Sequence, residues 1–342
     1  MLSSRVVRPP RPVDLRAHRD HRFREKLQRE LGPDVRAALG DPSVVEIVLN
    51  EDGSLWIERL GKPIERTGVF ITRTQAESLL GTVAALTGRE VHEDRPIIEA
   101  ELPFDGSRFE GVLPPVTRSP VFAIRRRALR VISLREYVSA GILDDGLASQ
   151  LEVAAAHRRS IVVCGGTGSG KTTLANALLA EAVRVGEPGE RFLILEDTAE
   201  LRCEAPNCVQ LRTSETVDLD RLVRATMRLR PDRIVVGEVR GREALALLKA
   251  WNTGHPGGVT TVHSNSARAA LSRLDQLVQE AGVPSQPQLI ADAIDLIVAI
   301  QRTPTGRRVT ELVRVHGYVP GSGFELEQVA PFERANTDGG KG

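Results

Sequence analysis

A glycine-rich segment, Val162 to Thr173 (VVCGGTGSGKTT), most narrowly constrains how this chain of 342 residues can fold. Gly165, Gly170, Lys171 and Thr172 occupy the fixed positions of the pattern G-x-x-x-x-G-K-[ST]. A β-branched run precedes the segment, and apolar residues in helical spacing follow it. Because backbone N–H groups of such a loop and of a helix N-terminus can surround phosphate oxygens, the segment predicts a phosphate-binding loop.

The loop supplies the predicted contacts to ATP. Glycine lets the backbone adopt positive φ and turn its N–H groups toward phosphate oxygens. The ammonium of Lys171 is a compact charge for the β- and γ-phosphates. The alternative is a glycine-rich connector that binds nothing, and the flanking strand and helix weigh against it. The predicted nucleotide-binding residues are Gly165, Gly166, Thr167, Gly168, Ser169, Gly170, Lys171, Thr172 and Thr173.

The sequence on either side of the loop predicts a division into domains. Residues 1–30 are an Arg/Pro-rich tail that passes into a charged helix, and residues 31–130 read as a hairpin, a helix and three short strands, a small α+β domain. Strands and helices alternate in residues 131–342, which predicts an α/β domain with a parallel sheet covered by helices. Apolar runs on both sides of Thr303–Gly306 predict a closing antiparallel hairpin.

Charge and hydropathy limit the classes of function. The chain has 46 Lys and Arg against 45 Asp and Glu, so its net charge of +1 creates no overall field that attracts nucleic acid or acidic lipid. The arginines of the tail could contact an anionic membrane surface or DNA, but a solvated run of charge is the favoured interpretation. No apolar run approaches the about 20 residues that span a bilayer, and no signal-peptide core follows the N-terminus. These features predict a cytoplasmic location.

Two acidic strand ends are candidates to act on the bound nucleotide. RIVVGE ends at Glu238, and FLILED ends at Glu196 and Asp197. Metal ligands and water-orienting groups of phosphate-binding loops lie at the ends of neighbouring strands, so Glu238 and Glu196 are predicted to be catalytic. The alternative is that these acids cap helices, a role for which Asp197 and Thr198 are better suited.

A third polar segment, Asn252 to Ser266 (NTGHPGGVTTVHSNS), contains glycines, small hydroxyls and two histidines. Such a segment makes a poor core, because each polar group would need a partner once buried. A phosphate-sensing loop explains it better, with His263 donating a hydrogen bond to the γ-phosphate and His255 in the loop before the strand. Two isolated histidines alone would be weak evidence.

The motifs together resemble a known superfamily. GGTGSGKTT, LILEDTAEL, RIVVGEVRG and GHPGGVTTVHSNS are similar, in this order, to the Walker A, Asp, Walker B and His boxes of the secretion (traffic) ATPases of type II and type IV secretion. EIVLNEDGSLWIERLG, FDGSRFEGVLPPV and FAIRRR resemble the conjugal-transfer, TrbB-type branch. The resemblance covers nearly the whole chain apart from its tails. It implies a RecA-like P-loop NTPase domain preceded by a PAS-like domain.

The resemblance also assigns roles to the boxes of the ATPase domain. It implies that Lys171 and Thr172 hold the phosphates and Mg²⁺, and that Glu238 orients or deprotonates the attacking water. Glu238 is also a second candidate ligand of Mg²⁺. Glu196 would assist Glu238, and His263 would sense the γ-phosphate.

Arginines of the first domain are implied to reach the nucleotide. They are Arg108 in GSRFEG and Arg125 in AIRRR, and the neighbouring Arg126 and Arg127 leave the second assignment open by one position. A guanidinium fits this role because its planar fork can share charge on a phosphoryl group. Whether the arginines act within one subunit or across an interface stays open.

The function implied is that of a hexameric cytoplasmic ATPase, peripheral at the inner membrane, that powers a conjugal transfer or type IV secretion apparatus for DNA or protein translocation or pilus assembly. Its partners would be further copies of itself and inner-membrane channel components, without direct sequence-specific nucleic-acid binding. Three alternatives remain: a RecA-like nucleic-acid motor, a type II secretion or pilus ATPase, and a P-loop regulator that binds nucleotide without turnover. The near-neutral charge and 4% aromatic residues weigh against the motor, and the absence of a tetracysteine zinc module weighs against the type II branch.

Overall fold

The structure is a computed structural model that describes residues 15–59, 62–126, 130–214, 216–303 and 306–329, with side chains from residue 24 onward. The chain divides after Leu129 into two compact units, Met1–Leu129 and Arg130–Gly342, which are called the first and second unit below. Residues 1–14 of the predicted tail lie outside the described residues. So do Arg127 and the two central residues of the predicted closing turn, Pro304 and Thr305.

The first unit combines helices with one antiparallel sheet of six strands in the order β3-β2-β1-β6-β5-β4. The helix that begins in the predicted charged segment bends at Gly32, where φ is 70° and Pro33 follows. The second helix begins with a capping box between Thr72 and Gln75. The elements are α1 (Leu15–Gly40), β1 (Val44–Leu49), β2 (Ser54–Arg59), β3 (Glu65–Phe70), α2 (Arg73–Thr87), β4 (Ile97–Glu101), β5 (Arg108–Val112) and β6 (Val121–Arg125).

The core of the first unit consists of apolar side chains from both helices and from the inward positions of the strands. These residues are in one cluster of buried side chains, so α1 and α2 are packed with the sheet. Its largest fully buried members are Leu27, Ile47, Leu49, Leu55, Leu79, Leu80, Ile98, Leu102, Phe109 and Ile124.

The second unit alternates strands with helices, as its sequence predicts. Within the described residues, no helix of either unit is long and apolar enough to cross a membrane. The elements are α3 (Leu134–Ser139), α4 (Asp145–Ala156), β7 (Ile161–Gly165), α5 (Lys171–Val185), β8 (Phe192–Glu196), β9 (Cys208–Arg212), α6 (Leu219–Thr226), β10 (Arg233–Val236), α7 (Glu243–Asn252), β11 (Val259–His263), α8 (Ala267–Gln279), α9 (Pro287–Ala293), β12 (Leu296–Thr303), β13 (Gly306–Val319) and β14 (Gly323–Gln328).

The sheet of the second unit has the strand order β14-β13-β12-β7-β11-β10-β8-β9. The strands from β12 to β9 in this order are parallel, while β13 and β14 are antiparallel additions at one side. Buried apolar clusters lie on both faces, which explains why β7, β8 and β10 are buried along their whole length. The parallel strands all end at one side of the sheet, the carboxyl edge, and all begin at the other, the amino edge.

Charged groups at the amino edge are paired inside the protein. Arg233, 1% exposed, donates from Nε to Oε1 of Glu190 at 2.9 Å and from Nη1 to the carbonyl of Ala155 at 3.1 Å. Arg158 Nε lies 3.4 Å from the same Glu190 oxygen. Asp295 accepts from the backbone N–H of Ser160 at 2.8 Å, so that β12 and β7 start in register. The charged groups of the amino edge therefore form ion pairs and hydrogen bonds with each other, although Oε2 of Glu190 has no hydrogen-bond partner among the described residues.

Each unit contains one of the two tryptophans of the chain. In the first unit, the indole N–H of Trp56 donates to the hydroxyl of Ser54 at 2.8 Å. In the second unit, the indole N–H of Trp251, a buried residue, donates to the carbonyl of Ile234 at 2.9 Å. A Cβ on Gly258 would lie 2.3 Å from that indole nitrogen, so only glycine fits where β11 begins.

Candidate active site at the carboxyl edge

The phosphate-binding loop lies where the sequence predicts it, between β7 and α5. Gly168 and Gly170 have φ values of 69° and 98°, which side chains of other residues rarely adopt. A Cβ on Gly165 would lie 2.3 Å from the carbonyl oxygen of Ile300, so this position also requires glycine. A Cβ on Gly166 would meet no atom within 4 Å, and the loop is thus open on that side.

Two features of the loop favour an anion. The N-cap of α5 is Gly170, which has no side chain that could cap the helix, so this end of the helix can receive an anion. The hydroxyl of Ser169 is buried and has no hydrogen-bond partner in the part of the chain that the structure describes. A buried polar atom without a partner costs free energy unless a ligand or water satisfies it.

Lys171 is the first residue of α5, is only 7% exposed, and extends its side chain back to the loop. Its Nζ donates to the carbonyl oxygen of Gly166 at 3.0 Å and lies 3.3 Å from Nδ1 of His263. Because an ammonium can only donate, Nδ1 of His263 is the acceptor, and the proton of the neutral ring is on Nε2. A phosphate in the loop would replace these two acceptors as partners of Lys171.

The sheet register brings His263 and Glu238 to this lysine. His263 ends β11 and pairs with Gly165 at the end of β7. Glu238 follows β10 through Gly237, and its Oε1 lies 2.8 Å from Nε2 of His263. Lys171, His263 and Glu238 thus form a line of three charged or titratable groups across neighbouring strand ends.

The carboxylate of Glu238 has a second partner in Arg240. Its Oε2 accepts from Nε of Arg240 at 2.8 Å. Burial opposes the charge of Arg240, but the hydrogen bond and charge of Glu238 outweigh it and raise the pKa of the guanidinium. Oε1 is within ion-pair distance of His263, yet the ring is not aligned for a hydrogen bond, and this buried oxygen has no hydrogen-bond partner among the described residues.

The site offers two side-chain oxygen atoms, from Glu238 and Thr172, that could be ligands of Mg²⁺. Oε1 of Glu238 is a buried acceptor without a donor, and the hydroxyl of Thr172 lies in the first turn of α5. The described residues contain no group of three or more His, Cys, Asp and Glu that could hold a metal. Mg²⁺ is commonly bound by one or two protein oxygens together with phosphates, so these residues fit an ion that arrives with a nucleotide.

Glu196 ends β8 at the same edge, but its carboxylate is engaged locally. Oε1 accepts the backbone N–H groups of Glu200 at 2.9 Å and Leu201 at 2.8 Å, and the residue is 5% exposed. Its Cγ would lie 3.0 Å from a Cβ on Gly237, which explains the glycine before Glu238. Glu196 therefore shapes the loop after β8 in this structure, and its predicted catalytic role stays a prediction.

His255 lies away from the phosphate loop. Its Nδ1 is 2.9 Å from the carbonyl oxygen of Pro231, which precedes β10, and both residues are therefore near the start of a parallel strand. A histidine held by a backbone carbonyl at the amino edge has a structural role. Of the two histidines in the polar segment, only His263 is brought to Lys171.

The arginines predicted in the first unit lie side by side. Arg108 on β5 and Arg125 on β6 are directly paired in the antiparallel register. Arg126, the alternative to Arg125, donates to the backbone carbonyl oxygens of Asp41 and Val44, which ties it to the fold of this unit. Arg125 is exposed at the end of its strand, so it is better placed than Arg126 to meet a ligand.

One arginine beside the phosphate loop lies outside all the sequence motifs and was therefore not predicted. Arg307 is at the start of β13, and its Nε donates to the carbonyl oxygen of Gly168 at 3.4 Å. A Cβ on Gly170 would lie 3.1 Å from its Cδ. The sequence separates Arg307 from the loop by well over a hundred residues, and only the course of the β12–β13 hairpin reveals the contact.

Comparison with known proteins finds relatives that match most of the chain. Residues 29–310 match the family described as Type II/IV secretion system protein. The chain is 52% identical over 321 residues to conjugal transfer protein TrbB of Rhizobium radiobacter, covering 94% of this chain and 98% of the relative. It is 29% identical to the type IV secretion system protein VirB11 of Bartonella quintana, covering 81% of this chain and 90% of the relative.

The chain belongs to the type II/IV secretion system protein family. The predicted secretion ATPase of the TrbB type is thereby confirmed. The fold of the ATPase DotB of Yersinia pseudotuberculosis is similar, with a TM-score of 0.58 at 17% identity over 91% of this chain and 82% of that chain. The prediction of an α/β P-loop domain preceded by a small α+β domain is likewise confirmed.

Proposed function

We propose that this secretion ATPase hydrolyses ATP with the groups assembled at the carboxyl edge of its second unit. The observation that carries the proposal is the line from Lys171 through His263 to Glu238, with contacts of 3.3 and 2.8 Å. A lysine inside a phosphate loop binds phosphate and a carboxylate at a neighbouring strand end orients water, which are two of the tasks that phosphoryl transfer requires, and the histidine between them contacts both groups.

Each of these residues has a task that follows from its position. Lys171 exchanges the carbonyl of Gly166 for phosphate oxygens, and the uncapped N-terminus of α5 surrounds the same phosphates. Glu238 orients a water molecule and accepts its proton at Oε1, the oxygen without a hydrogen bond. Arg240 and His263 hold this carboxylate from two sides, which fixes its direction. Thr172 and Glu238 would hold Mg²⁺, which offsets phosphate charge.

The wider role is inferred from the relatives. The names of the relatives, conjugal transfer and type IV secretion proteins, support a protein that powers a conjugation or type IV secretion apparatus. We infer a homo-hexamer at the cytoplasmic side of the inner membrane, in contact with membrane components of the channel. In this role the product of ATP hydrolysis is a change of conformation, and no sequence-specific contact to nucleic acid is required.

The proposal is tested by measuring steady-state ATP hydrolysis with and without Mg²⁺, together with the mass of the particle in solution with and without nucleotide. We expect Mg²⁺-dependent turnover and a mass of six chains. Absence of turnover despite nucleotide binding would identify a regulator. Stimulation of turnover by single-stranded DNA that disappears at high salt would favour a nucleic-acid motor.

Arg108 and Arg125 remain predicted nucleotide ligands, and Arg108 gives the sharper test. If its guanidinium contacts the γ-phosphate, Arg108→Ala removes an interaction that ATP makes and ADP does not. Turnover should then fall by about tenfold or more while ADP affinity changes little. Arg126→Ala is the control, because that residue is tied to backbone carbonyls. Unchanged turnover in Arg108→Ala would mean that the first unit only supports assembly.

A further inference from the structure

The β12–β13 hairpin reaches past the phosphate loop on the side of β7 opposite β11. Strand β12 runs parallel to β7 with Leu296 beside Ile161 and Ala299 beside Cys164, and it continues to Thr303. The chain then returns as β13, with Arg302 directly opposite Arg307. The hairpin therefore extends beyond the end of β7, where the phosphate loop begins.

The side chain of Arg307, a residue of β13, contacts the phosphate loop. Its Nε donates to the carbonyl oxygen of Gly168 at 3.4 Å, and a Cβ on Gly170 would be 3.3 Å from the same nitrogen. The side chain is half-buried. The guanidinium thus lies against the loop residues from Gly168 to Gly170, whose backbone precedes the helix that receives phosphate.

The charge of Arg307 is not neutralised within the described residues, where no carboxylate is within ion-pair distance of it. Its partner across the ladder, Arg302, carries the same charge, and like charges directly opposite each other are destabilising. A half-buried guanidinium with one long hydrogen bond to a carbonyl is a costly arrangement for a structural residue. An anion held in the loop would remove this cost.

We propose that Arg307 is a further phosphate-binding residue, which contacts the nucleotide held by the loop of the same subunit. The ligand class is a nucleoside diphosphate or triphosphate, and the recognised groups are its phosphates. This inference rests on the proposed ATP site and adds to it a contact from the β12–β13 hairpin. When phosphate binds, the guanidinium exchanges the carbonyl of Gly168 for phosphate oxygens.

The test measures the affinity of the full-length chain for ADP and for pyrophosphate by calorimetry at fixed ionic strength. Arg307→Ala should weaken both by about ten- to a hundredfold, as loss of one charge-assisted hydrogen bond predicts. Because pyrophosphate lacks base and ribose, equal losses for the two ligands assign the contact to phosphate. Arg308→Ala is the matched control: it removes the same charge from the next residue, which faces the opposite side of the strand, and should leave both affinities unchanged.

Two conservative variants distinguish a contact with the ligand from a purely structural role of Arg307. Arg307→Gln can still donate to the carbonyl of Gly168 but carries no charge, whereas Arg307→Lys keeps the charge. A phosphate contact predicts that Lys restores part of the affinity and Gln does not. Equal recovery by Gln and Lys, or a wild-type affinity in Arg307→Ala, would overturn the inference.

The proposed function fails in a different way. If the wild-type chain binds neither ADP nor pyrophosphate, or if Lys171→Ala binds both normally, the ATP site itself is misassigned. If wild type binds, Lys171→Ala does not, and Arg307→Ala binds like wild type, only the role of Arg307 is wrong. Thermal unfolding of each ligand-free variant checks that it is folded.

Discussion

The two edges of the eight-stranded sheet both contain buried charge, but they use it differently. At the amino edge, Arg233 and Glu190 form an ion pair at 2.9 Å, and the same arginine donates to a backbone carbonyl. At the carboxyl edge, the hydroxyl of Ser169 and Oε1 of Glu238 are buried without hydrogen-bond partners in the described structure. At the amino edge the opposite charges pair with each other, although Oε2 of Glu190 has no hydrogen-bond partner among the described residues, whereas the groups of the carboxyl edge surround a loop that is open to a ligand.

The difference shows how one sheet can combine stability with chemistry. Buried charges that neutralise each other hold the starts of neighbouring strands and bind nothing. Groups whose partners are absent raise the free energy of the ligand-free protein, and a ligand that supplies those partners gains affinity. We therefore expect substitutions at the amino edge to change stability and substitutions at the carboxyl edge to change nucleotide binding and turnover.

The largest effect is expected for Lys171→Ala. Loss of the ammonium leaves the phosphates without their central charge, and turnover should fall by roughly 10⁴-fold while the fold stays intact. Steady-state ATP hydrolysis and circular dichroism measure the two quantities. Lys249→Ala, an exposed lysine on α7, is the control for loss of a lysine. Normal turnover in a folded Lys171→Ala variant would refute the assignment of this loop.

Glu238→Gln should leave nucleotide binding in place and slow hydrolysis by about 10³-fold, because the amide keeps the shape of the side chain but cannot accept a proton. Nucleotide affinity and single-turnover hydrolysis are to be measured on the same preparation. If affinity is lost and the rate of the bound nucleotide is unchanged, Glu238 is a structural residue or metal ligand. The carboxyl edge would then resemble the amino edge more closely than proposed.

At the amino edge, Arg233→Ala should lower the free energy of unfolding by about 3 to 5 kcal/mol, because it leaves Glu190 buried with only the more distant Arg158. Urea denaturation measures the loss. The double variant Arg233→Met, Glu190→Leu removes both charges and should be far less destabilised. The turnover of folded Arg233→Ala should match wild type, and a large fall in turnover at full folding would contradict a purely structural amino edge.

The smallest effect is expected for Ser169→Ala. Removal of a hydroxyl that has no partner should change the stability of the ligand-free protein by less than about 0.5 kcal/mol. Nucleotide affinity should fall by about two- to tenfold, since a phosphate would lose one neutral hydrogen bond. Urea denaturation and calorimetric titration give the two numbers. A clear loss of ligand-free stability would show that the hydroxyl already has a partner within the protein.

Much of the fold could be predicted because its elements have strong periodicity. Helix α2 (Arg73–Thr87) is the helix that the sequence predicts within residues 31–130, since five apolar residues in helical spacing follow a capping box. Four elements were not predicted: β3, β9, α9 and β14. The three strands lie at sheet edges and contain no fully buried residue, and α9 has only seven residues. Edge strands of this kind form because a neighbouring strand is present.

The candidate site was predictable only where motifs mark it. The loop, Glu238 and His263 follow apolar strands in sequence, and strand ends of a parallel sheet meet at one edge. Arg307 is one of many arginines, and its contact with Gly168 depends on the length and register of a distant hairpin. The local bonds of Glu196 depend on the course of the loop after β8. Neither is visible as a local pattern.

The placement of the two tryptophans makes each unit optically distinct. Trp251 is buried in the second unit, and Trp56 is only partly buried in the first, so their fluorescence reports on different parts of the protein. In a Trp56→Phe background, the emission of Trp251 alone would follow the unfolding of the ATPase unit. Trp251→Phe would isolate the emission of the other unit. The chain therefore carries a natural pair of fluorophores with which the cooperativity between its units can be measured without added labels.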